Sequence, residues 1–456
     1  MQPQTCDIKS STSPLNWLAF LIPSLIGLTL FVTPVSFNGE ITIPVALLAK
    51  QLKVLLGDSI TGIISAVVIF TALVSAAATL FKPKKIAGSE FLRDLFSPSK
   101  GWLAVRVCGA IFVALTYFGL GPEILRSGAT GGLVLNDLLP TLFAVFIFAG
   151  LLLPLLMNFG LLELLGAMAT KVMRPLFNLP GRSAIDCMAS WLGDGSVGIL
   201  MTSKQYETKF YTQREAAVIG TTFSAVSITF SLVVIAEVGL EHLFLPFYAT
   251  VCLAGVVAAF IVPKLPPLSR KKDLFFDGSQ RTAEHDLIPA GKSSFSWGLE
   301  KALQRAAEVK NPSQVFVDGI KNAVDMVFGV LPVIMAIGTV ALVIAEHTPI
   351  FNWLGMPFLP LLELLQIPEA QQASTTMVVG FADMFVPAIL ASSIESEMTR
   401  FVIAALSLTQ LIYLSEVGAL LLGSKIPVTL GELFVIFILR TLVTLPVIAG
   451  VAHLIF

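Results

Sequence analysis

The amino-acid sequence predicts an all-α polytopic membrane protein with about nine full transmembrane helices and two re-entrant hairpins in an inverted-topology repeat. Three observations support this prediction. The 456-residue chain is 55% hydrophobic and only 13% charged, whereas roughly 25% of the residues in a soluble domain are charged. Apolar runs long enough to cross a bilayer recur along the chain. Two glycine- and proline-interrupted segments with matching features lie in its two halves.

The apolar runs define the expected spans, because a helix needs about 20 apolar residues to cross the hydrocarbon core. A further segment, residues 42–57, carries Lys50 and Lys53 and is expected to form a short interfacial helix. The first run is too long for the core of a signal peptide, so we expect it to be retained. The nine predicted spans are residues 15–36, 59–81, 102–120, 141–162, 214–236, 243–263, 326–345, 400–423 and 429–455.

Basic loops set the predicted orientation, since lysine and arginine concentrate on the cytoplasmic side. The cluster Arg270-Lys271-Lys272 and the loop FKPKKIAGSEFLRD both follow ends of spans. Both loops fall inside when the N-terminus is cytoplasmic, as expected for a multi-pass protein of the bacterial inner membrane. The polar stretch from about residue 265 to 314 is predicted to be a solvated linker that contains the amphipathic segment WGLEKALQRAAEVK.

An internal repeat is indicated by unlike features that recur in the same order. Leu179-Pro180 corresponds to Ile367-Pro368, Asp194 to Asp383, and Arg214 to Arg400. Residues 166–214 contain six lysines and arginines and residues 322–399 contain none, so the two units are predicted to enter from opposite faces. The predicted domains are N-terminal scaffold spans (1–138), a first repeat (139–264), the cytoplasmic linker (265–323) and a second, inverted repeat (324–456).

The two hairpin tips are the candidate binding site. Many secondary transporters bind substrate where interrupted helices of inverted repeats meet near the membrane midplane. An ordinary exposed turn is the alternative for each tip. Two matched aspartates favour function, because an aspartate inside a span costs on the order of 3 kcal/mol to insert. The candidate residues are Gly193, Asp194, Gly195 and Ser196 at the first tip, and Asp383, Met384 and Pro387 at the second.

The spans that follow the hairpins carry polar stripes. Small hydroxyl residues often serve helix packing in membranes, which is the alternative for the first stripe. The second stripe includes bulky polar groups, and an ionisable side chain there needs an ion, a proton or a substrate group as a partner. The candidates are Thr221, Ser224 and Ser227 in the first stripe, and Thr409, Gln410, Ser415 and Glu416 in the second.

Two arginines also lie inside predicted spans, Arg106 and Arg440. Each would either pair with one of these acids or extend toward an interface, and the interface is the expectation for Arg106.

The sequence argues against several other classes of function. The net charge of −1 gives no indication of a nucleic acid polymer as partner. The four cysteines form no CxxC pair and have no histidine at ligand spacing, so no metal site is expected. There is no phosphate loop, nucleophile elbow or HExxH motif, so we expect neither an enzyme nor a bound cofactor.

The segments LGDGSVGILMT, VVGFADMFVPAIL and SLTQLIYLSEVG resemble the YjiH-type bacterial inner-membrane proteins that carry a nucleoside-recognition (Gate) domain. The resemblance covers about residues 140–250 and 324–450. It implies a distant likeness to concentrative nucleoside transporters, in which two opposed hairpins and the helices after them form the substrate and cation site. The chain lacks the Gln-Thr-Glu type hairpin pattern of those transporters, so amino acids and short peptides stay open as substrates beside nucleosides.

The resulting hypothesis is a secondary active transporter of a small polar metabolite. Sodium or protons would couple at Asp194, Asp383 and Glu416, and an elevator-like motion would carry the hairpins past the first three spans. Its partners are the small-molecule substrate, the coupling ion and the lipid bilayer, and a homo-oligomer is compatible with the sequence. The alternative is a non-transporting membrane adaptor or regulatory protein, in which the amphipathic linker segment binds a partner helix.

Overall fold

The computed structural model describes residues 14–33, 35–37, 40–192, 195–223, 226, 228–281, 292–309 and 311–456. The described chain is helical apart from a short antiparallel ribbon, in which β1 (Val35–Phe37) pairs with β2 (Glu40–Thr42), and one isolated bridge in the linker. The helices of the first half are α1 (Pro14–Val32), α2 (Pro44–Leu56), α3 (Ser59–Phe81), α4 (Lys84–Ala87), α5 (Glu90–Phe96), α6 (Lys100–Tyr117), α7 (Glu123–Arg126), α8 (Gly131–Leu133), α9 (Leu139–Met157), α10 (Leu161–Phe177), α11 (Ser183–Leu192) and α12 (Gly195–Glu207).

The remaining helices are α13 (Gln213–Val218), α14 (Ile228–Glu237), α15 (Phe244–Ile261), α16 (Ser294–Glu308), α17 (Pro312–His347), α18 (Ile350–Gly355), α19 (Leu359–Leu364), α20 (Ala370–Thr376), α21 (Val386–Ala391), α22 (Glu397–Gln410), α23 (Val417–Gly423) and α24 (Leu430–Ile455).

Six helical segments of the described chain are long and apolar enough to cross a membrane: Ser59–Phe81, Lys100–Tyr117, Glu123–Met157, Glu241–Lys264, Ser313–His347 and Leu430–Ile455. The protein is therefore an all-helical, multi-pass membrane protein. Three of the nine predicted spans differ from these segments. The span at 15–36 is the shorter helix α1, and those at 214–236 and 400–423 are interrupted halfway. The short helix expected at 42–57 is α2.

The helices α3, α6, α9 and α17 pack against one another, and we call this group the scaffold. One close contact joins α9 and α17, where a Cβ added to Gly150 would lie 2.5 Å from the Cα atom of Ala323. A Cβ added to Gly319 would likewise lie 2.4 Å from the carbonyl oxygen of Leu151. Apolar helices gain no hydrophobic free energy when they associate in lipid. Close backbone packing at small residues holds such helices together instead.

The two halves of the chain contribute matching helical hairpins. The first hairpin consists of the packed helices α11 and α12, and the second of α20 and α21 joined through a 3₁₀ turn at Val379–Phe381. The second arm of each hairpin packs against the other half: α12 contacts α23, and α21 contacts α14. Phe230 and Phe385 meet edge to face at this second contact, with ring centroids 6.0 Å apart.

The bases of the two hairpins lie at opposite ends of α24. Near its start, Glu432 pairs with Lys271 of the linker at 2.7 Å. The same linker segment accepts a hydrogen bond from the backbone N–H of Gln213, just after the first hairpin. At its end, His453 contacts the carbonyl of Leu365 at 2.8 Å, just before the second hairpin. The 21-residue interval between Glu432 and His453 corresponds to about 32 Å of helix.

The linker packs onto the molecule through α16 and the segment that follows α15. The apolar face of α16 lies against α10 and α1, with Gly298, Ala302 and Ala306 buried. In the segment between α15 and α16, Asp277 accepts hydrogen bonds from Lys209, which follows α12, and from Ser279. These hydrogen bonds hold the pKa of the exposed Asp277 carboxyl below its usual range. The amphipathic segment predicted from the sequence is thus a helix whose apolar face is covered within the chain.

The contact between α9 and α17 gives a prediction about stability. Gly150→Val should destabilise the protein by about 3 kcal/mol, because the added side chain meets backbone that cannot move aside. Gly450→Val is the matched control, since Gly450 is exposed and a Cβ there meets nothing within 4 Å. The measurement is the apparent melting temperature of the purified protein in detergent. Equal melting temperatures for the two variants would contradict the packing of α9 on α17.

Candidate functional site

The helices that follow the two hairpins are both interrupted. In the first half a π-helical turn, Ile219–Phe223, follows α13, and Val226 lies outside any helix before α14 begins at Ile228. In the second half α22 ends at Gln410, Leu411 takes a left-handed conformation with φ of 67°, and α23 begins only at Val417. We call these the first and second breaks. An interrupted helix frees backbone carbonyls, and these are tolerated in a membrane protein only in the protein interior or a wet cavity.

Arg440 on α24 lies between the two breaks. Its side chain is buried, with 1% of the residue exposed. The guanidinium donates to the carbonyl of Thr409 at 2.8 Å from Nε, and to the carbonyls of Thr222 at 3.3 Å and Thr221 at 3.5 Å from Nη1. A positive charge is favourable at the carbonyl ends of helical segments. Arg440 thus joins the two halves through backbone carbonyls, and not through any carboxylate among the described residues.

Arg440 also marks the level of the breaks along α24. It is eight residues from Glu432 and thirteen from His453, which corresponds to about 12 Å and 20 Å of helix. The breaks therefore lie between the two hairpin bases.

The tip of the second hairpin contacts the second break. Asp383 accepts hydrogen bonds from the hydroxyl of Ser415 at 2.6 Å and from the backbone N–H of Phe385 at 2.8 Å. The backbone N–H groups of Ser415 and Leu414 donate to the carbonyls of Ala382 at 2.9 Å and Phe381 at 2.8 Å. The structure therefore brings together Asp383 and Ser415, two residues that the sequence analysis selected from separate motifs.

Two other predicted residues of the second half, Gln410 and Thr409, form hydrogen bonds within the protein. Gln410 donates from Nε2 to the carbonyl of Met377 at 2.7 Å and to the hydroxyl of Thr441 at 2.9 Å. A Cβ on Gly380 would lie 2.4 Å from Oε1 of Gln410, so glycine is needed there. The Thr409 hydroxyl donates to Thr444 at 3.2 Å. Met384 is buried near the tip, and Pro387 lies in the first turn of α21.

Glu416 lies at the end of the second break, immediately before α23. It is partly exposed and accepts a hydrogen bond from the hydroxyl of Tyr413 at 3.3 Å. The adjacent carbonyl of Ser415 faces the scaffold, because a Cβ on Gly338 of α17 would lie 3.1 Å from it. The second break therefore lies where the hairpin region meets the scaffold.

The first tip is described in part, since Gly193, Asp194, Ser224 and Ser227 lie outside the described residues. Gly195 and Ser196 begin α12, and Ser196 is buried. The Thr221 hydroxyl donates to the carbonyl of Ala217 at 2.7 Å, within its own helix. Trp191 at the end of α11 donates its indole N–H to the carbonyl of Phe223 at 3.3 Å. The first tip thus contacts the first break, as the second tip contacts the second.

Asp186 is a buried acid that sequence reasoning missed. It is 1% exposed and lies in the first hairpin. It accepts hydrogen bonds from Thr202 at 2.9 Å, Gln205 at 2.6 Å and Tyr211 at 3.0 Å. The signal was available, because an aspartate in the apolar stretch AIDCMA has the same insertion cost that singled out Asp194.

The expectation that Arg106 reaches an interface is wrong. Arg106 is 7% exposed, and its Nη1 donates to the carbonyl of Leu95 at 2.6 Å and to the hydroxyl of Ser75 at 3.0 Å. The side chain joins α6 to α3 and α5. It therefore binds hydrogen-bond acceptors inside the protein and does not extend to the membrane interface.

A cavity of about 630 Å³ separates the base of the first hairpin from the scaffold. Lys204 of α12 reaches across it to Asp325 of α17 at 2.8 Å and also pairs with Glu207 at 3.0 Å. A smaller cavity of about 60 Å³ shares this wall and extends to Gly423 at the end of α23. The helix α23 begins next to Glu416 of the second break. Gly423, where the smaller cavity ends, therefore lies about 10 Å along this helix from the break.

Comparisons with known proteins place these features in a wider context. A nucleoside-recognition (Gate) family model matches residues 139–241. An uncharacterised protein of Alkalihalophilus pseudofirmus is 50% identical over 441 residues, covering 97% of this chain and 95% of that protein. Two solved structures of CNTnw are 13% identical to this chain. The outward-facing one has a TM-score of 0.36 and covers 97% of this chain and 98% of its own. The inward-facing, substrate-bound one has a TM-score of 0.35, with 90% and 97% covered.

Arg440→Gln should destabilise the protein by about 3 kcal/mol, because it leaves buried carbonyls at both breaks without a donor. Arg270→Gln is the control, because it removes a guanidinium from an exposed position in the linker and leaves no buried carbonyl without a donor. Thermal unfolding of both variants in detergent measures the difference. An Arg440→Gln variant as stable as the control would show that the breaks do not depend on this guanidinium.

Asp186→Asn should cost about 2 kcal/mol, because the new amide N–H₂ would face hydroxyl and amide groups that now donate to the carboxylate. Asp58→Asn is the control: Asp58 is exposed at the start of α3 and caps it without a side-chain hydrogen bond. Chemical unfolding followed by tryptophan fluorescence compares the two. Equal stability would mean that the three donors find other acceptors.

Proposed function

We propose that this chain, which carries a Gate domain and belongs to the same family as the Alkalihalophilus pseudofirmus protein, is a secondary active transporter of a small polar metabolite. The observation that supports this most directly is the arrangement of two interrupted helices around Arg440, each in contact with the tip of a helical hairpin. Nucleosides are the first substrates to test, because the family model that matches this chain is described as a nucleoside-recognition domain. Amino acids and short peptides are the other two classes.

The two hairpins are proposed to be re-entrant and to enter the inner membrane from opposite faces. Their bases lie at the two ends of α24, about 32 Å of helix apart, which matches the roughly 30 Å thickness of a hydrocarbon core. The base of the first hairpin contacts the linker with its basic cluster, so the positive-inside rule assigns it and the N-terminus to the cytoplasm. The repeat is then inverted, with three membrane segments in each of the two repeats (139–264 and 324–456) besides the hairpins.

The substrate and coupling ion are proposed to bind between the tips and the breaks. Asp383 is the best placed acid, because it lies in the second tip and one of its oxygens accepts a hydrogen bond from the hydroxyl of Ser415 in the second break. Glu416 lies at the edge of the same break, toward the scaffold. Asp194, by its position in the repeat, would complete the set of acids. Sodium or a proton is proposed to bind among these carboxylates, with Gly195, Ser196 and Thr221 of the first half near the substrate.

Transport is proposed to move the hairpins and breaks as one body against the scaffold. Within this body the halves are joined by buried hydrogen bonds through Arg440, whereas the 630 Å³ cavity separates the base of the first hairpin from the scaffold. The ion pair between Lys204 and Asp325 crosses that boundary, and both side chains retain some exposure. Because Lys204 is mostly buried, the motion would have to break this pair and return both charges to water.

The alternative, a non-transporting adaptor, relied on the amphipathic linker segment as a binding surface for a partner helix. The apolar face of this segment, α16, is covered by α10 and α1. A partner helix would have to displace these contacts before it could bind. The transporter proposal requires no such rearrangement.

The proposal is tested by uptake into proteoliposomes that contain the purified full chain. Labelled nucleosides, amino acids and dipeptides are each offered with an inward sodium gradient, an inward proton gradient or no gradient. Asp383→Asn should reduce gradient-driven uptake at least tenfold, because the amide keeps the shape of the side chain but binds neither sodium nor a proton as a carboxylate does. Asp277→Asn, in the exposed linker, should transport like the wild type.

Two results would count against this function. No gradient-driven uptake of any of the three classes by well-folded wild-type protein would remove the transporter proposal. Uptake that Asp383→Asn leaves unchanged would keep the transporter but remove Asp383 from ion coupling.

A further inference from the structure

A third cavity, separate from the breaks, lies on the side of the molecule that carries the linker. Its volume is about 390 Å³, within the 300–1,000 Å³ range of small-molecule sites. The wall is built from four parts of the chain: α10, the loop before α11, the loop after α12, and the linker with α16. A ligand bound there would contact the base of the first hairpin and α16 at once.

The wall of this cavity is strongly basic. Five cationic side chains line it, against two carboxylates, Glu163 and Glu308. Each carboxylate already pairs with an arginine of the same wall, Glu163 with Arg182 at 3.3 Å and Glu308 with Arg305 at 2.8 Å. The five cations are Arg182, Lys209, Arg281, Lys301 and Arg305.

Several of these cationic groups have donor capacity to spare. Lys209 and Arg281 pair with Asp277 and Glu215. Lys301 instead has no carboxylate partner in the described chain, and its ammonium lies 4.9 Å from the ring centroid of Trp297. Nη2 of Arg182 and Nε of Arg305 are buried without a hydrogen-bond acceptor among the described residues. Oε2 of Glu163 is likewise buried without a hydrogen-bond donor among the described residues, but the cations of the wall outnumber the carboxylates five to two. Leaving buried charged donors unpaired is costly, so the wall as a whole favours an anionic acceptor.

The arginine in the floor of the cavity is held in place from several sides. Arg182 lies over the ring of Phe210 at 3.5 Å from its centroid and donates from Nε to Gln205 at 3.1 Å. Gln205 in turn donates to the buried Asp186. A guanidinium fixed in this way presents its remaining N–H groups in a defined direction, which suits the oxygens of a phosphate group.

We infer that this cavity is a binding site for a phosphate-bearing anion, held by Arg182, Lys301 and Arg305. The phosphate can belong to a soluble phosphate ester or to the headgroup of an anionic lipid, since both offer the same oxygens to the same cations. Bound phosphate would connect α16 to the first hairpin through ionic contacts. It should therefore raise the thermal stability of the folded protein, because a ligand that binds only the folded state stabilises it.

The test uses the purified full chain and two kinds of probe. In detergent, melting temperatures are measured with adenosine 5′-monophosphate, inorganic phosphate or adenosine. In lipid nanodiscs they are measured in phosphatidylcholine alone and with phosphatidylglycerol added. The variant K301Q/R305Q removes two charges from the cavity wall, and K84Q/K85Q removes two exposed charges elsewhere as the matched control.

A phosphate-bearing probe should stabilise the wild type and K84Q/K85Q alike, and K301Q/R305Q should bind it at least about tenfold more weakly. Stabilisation by the soluble phosphates identifies a phosphate ester as the source, and stabilisation by phosphatidylglycerol alone identifies the lipid. If K301Q/R305Q melts below the wild type without any probe, K301Q alone takes its place, because it keeps the Arg305–Glu308 pair. No stabilisation by any phosphate probe, or equal stabilisation of the cavity variant, would overturn the inference.

Discussion

The architecture depends on how the carbonyls released at the two breaks are satisfied. A helix interrupted inside a membrane protein frees backbone groups that lipid cannot bind. Arg440 supplies donors to both breaks at once, and this suits an arginine, because a planar guanidinium carries five N–H groups whereas an ammonium is a compact point charge. At the first break a further donor comes from the hairpin tip, the indole N–H of Trp191. At the second break the backbone N–H groups of Ser415 and Leu414 donate to carbonyls of the hairpin tip.

This arrangement makes the two halves of the chain mutually dependent. The second arm of each hairpin packs on the interrupted helix of the other half, and Arg440 of the second half binds carbonyls of the first. The first break therefore depends on Arg440 of the second half, whereas the second break also forms hydrogen bonds within its own half. The scaffold is held differently, through close backbone contacts at glycines such as Gly150. Buried polar contacts therefore join the two halves within the hairpin region, whereas a cavity lies between the base of the first hairpin and the scaffold.

The sequence predicted the helical class well and the interruptions poorly. The span at residues 59–81 coincides with α3, since its apolar run is continuous. The stretch LTQLIYLSE contains neither glycine nor proline, so nothing local marks the break after Gln410. The break is stabilised instead by tertiary contacts, in which Ser415 bonds to Asp383 and Arg440 to the Thr409 carbonyl. Arg106 was misjudged for the same reason, because its acceptors at Ser75 and Leu95 come from other helices.

The two buried aspartates of the described hairpins differ in what they can still bind. A carboxylate has about four acceptor positions. Asp186 accepts from three side chains and is 1% exposed, so its positions are nearly filled and a ligand has no path to it. Asp383 accepts from one hydroxyl and one backbone N–H and is 8% exposed at the boundary of the second break. Asp383 therefore has fewer of its acceptor positions filled by the described chain than Asp186, which holds the first hairpin together.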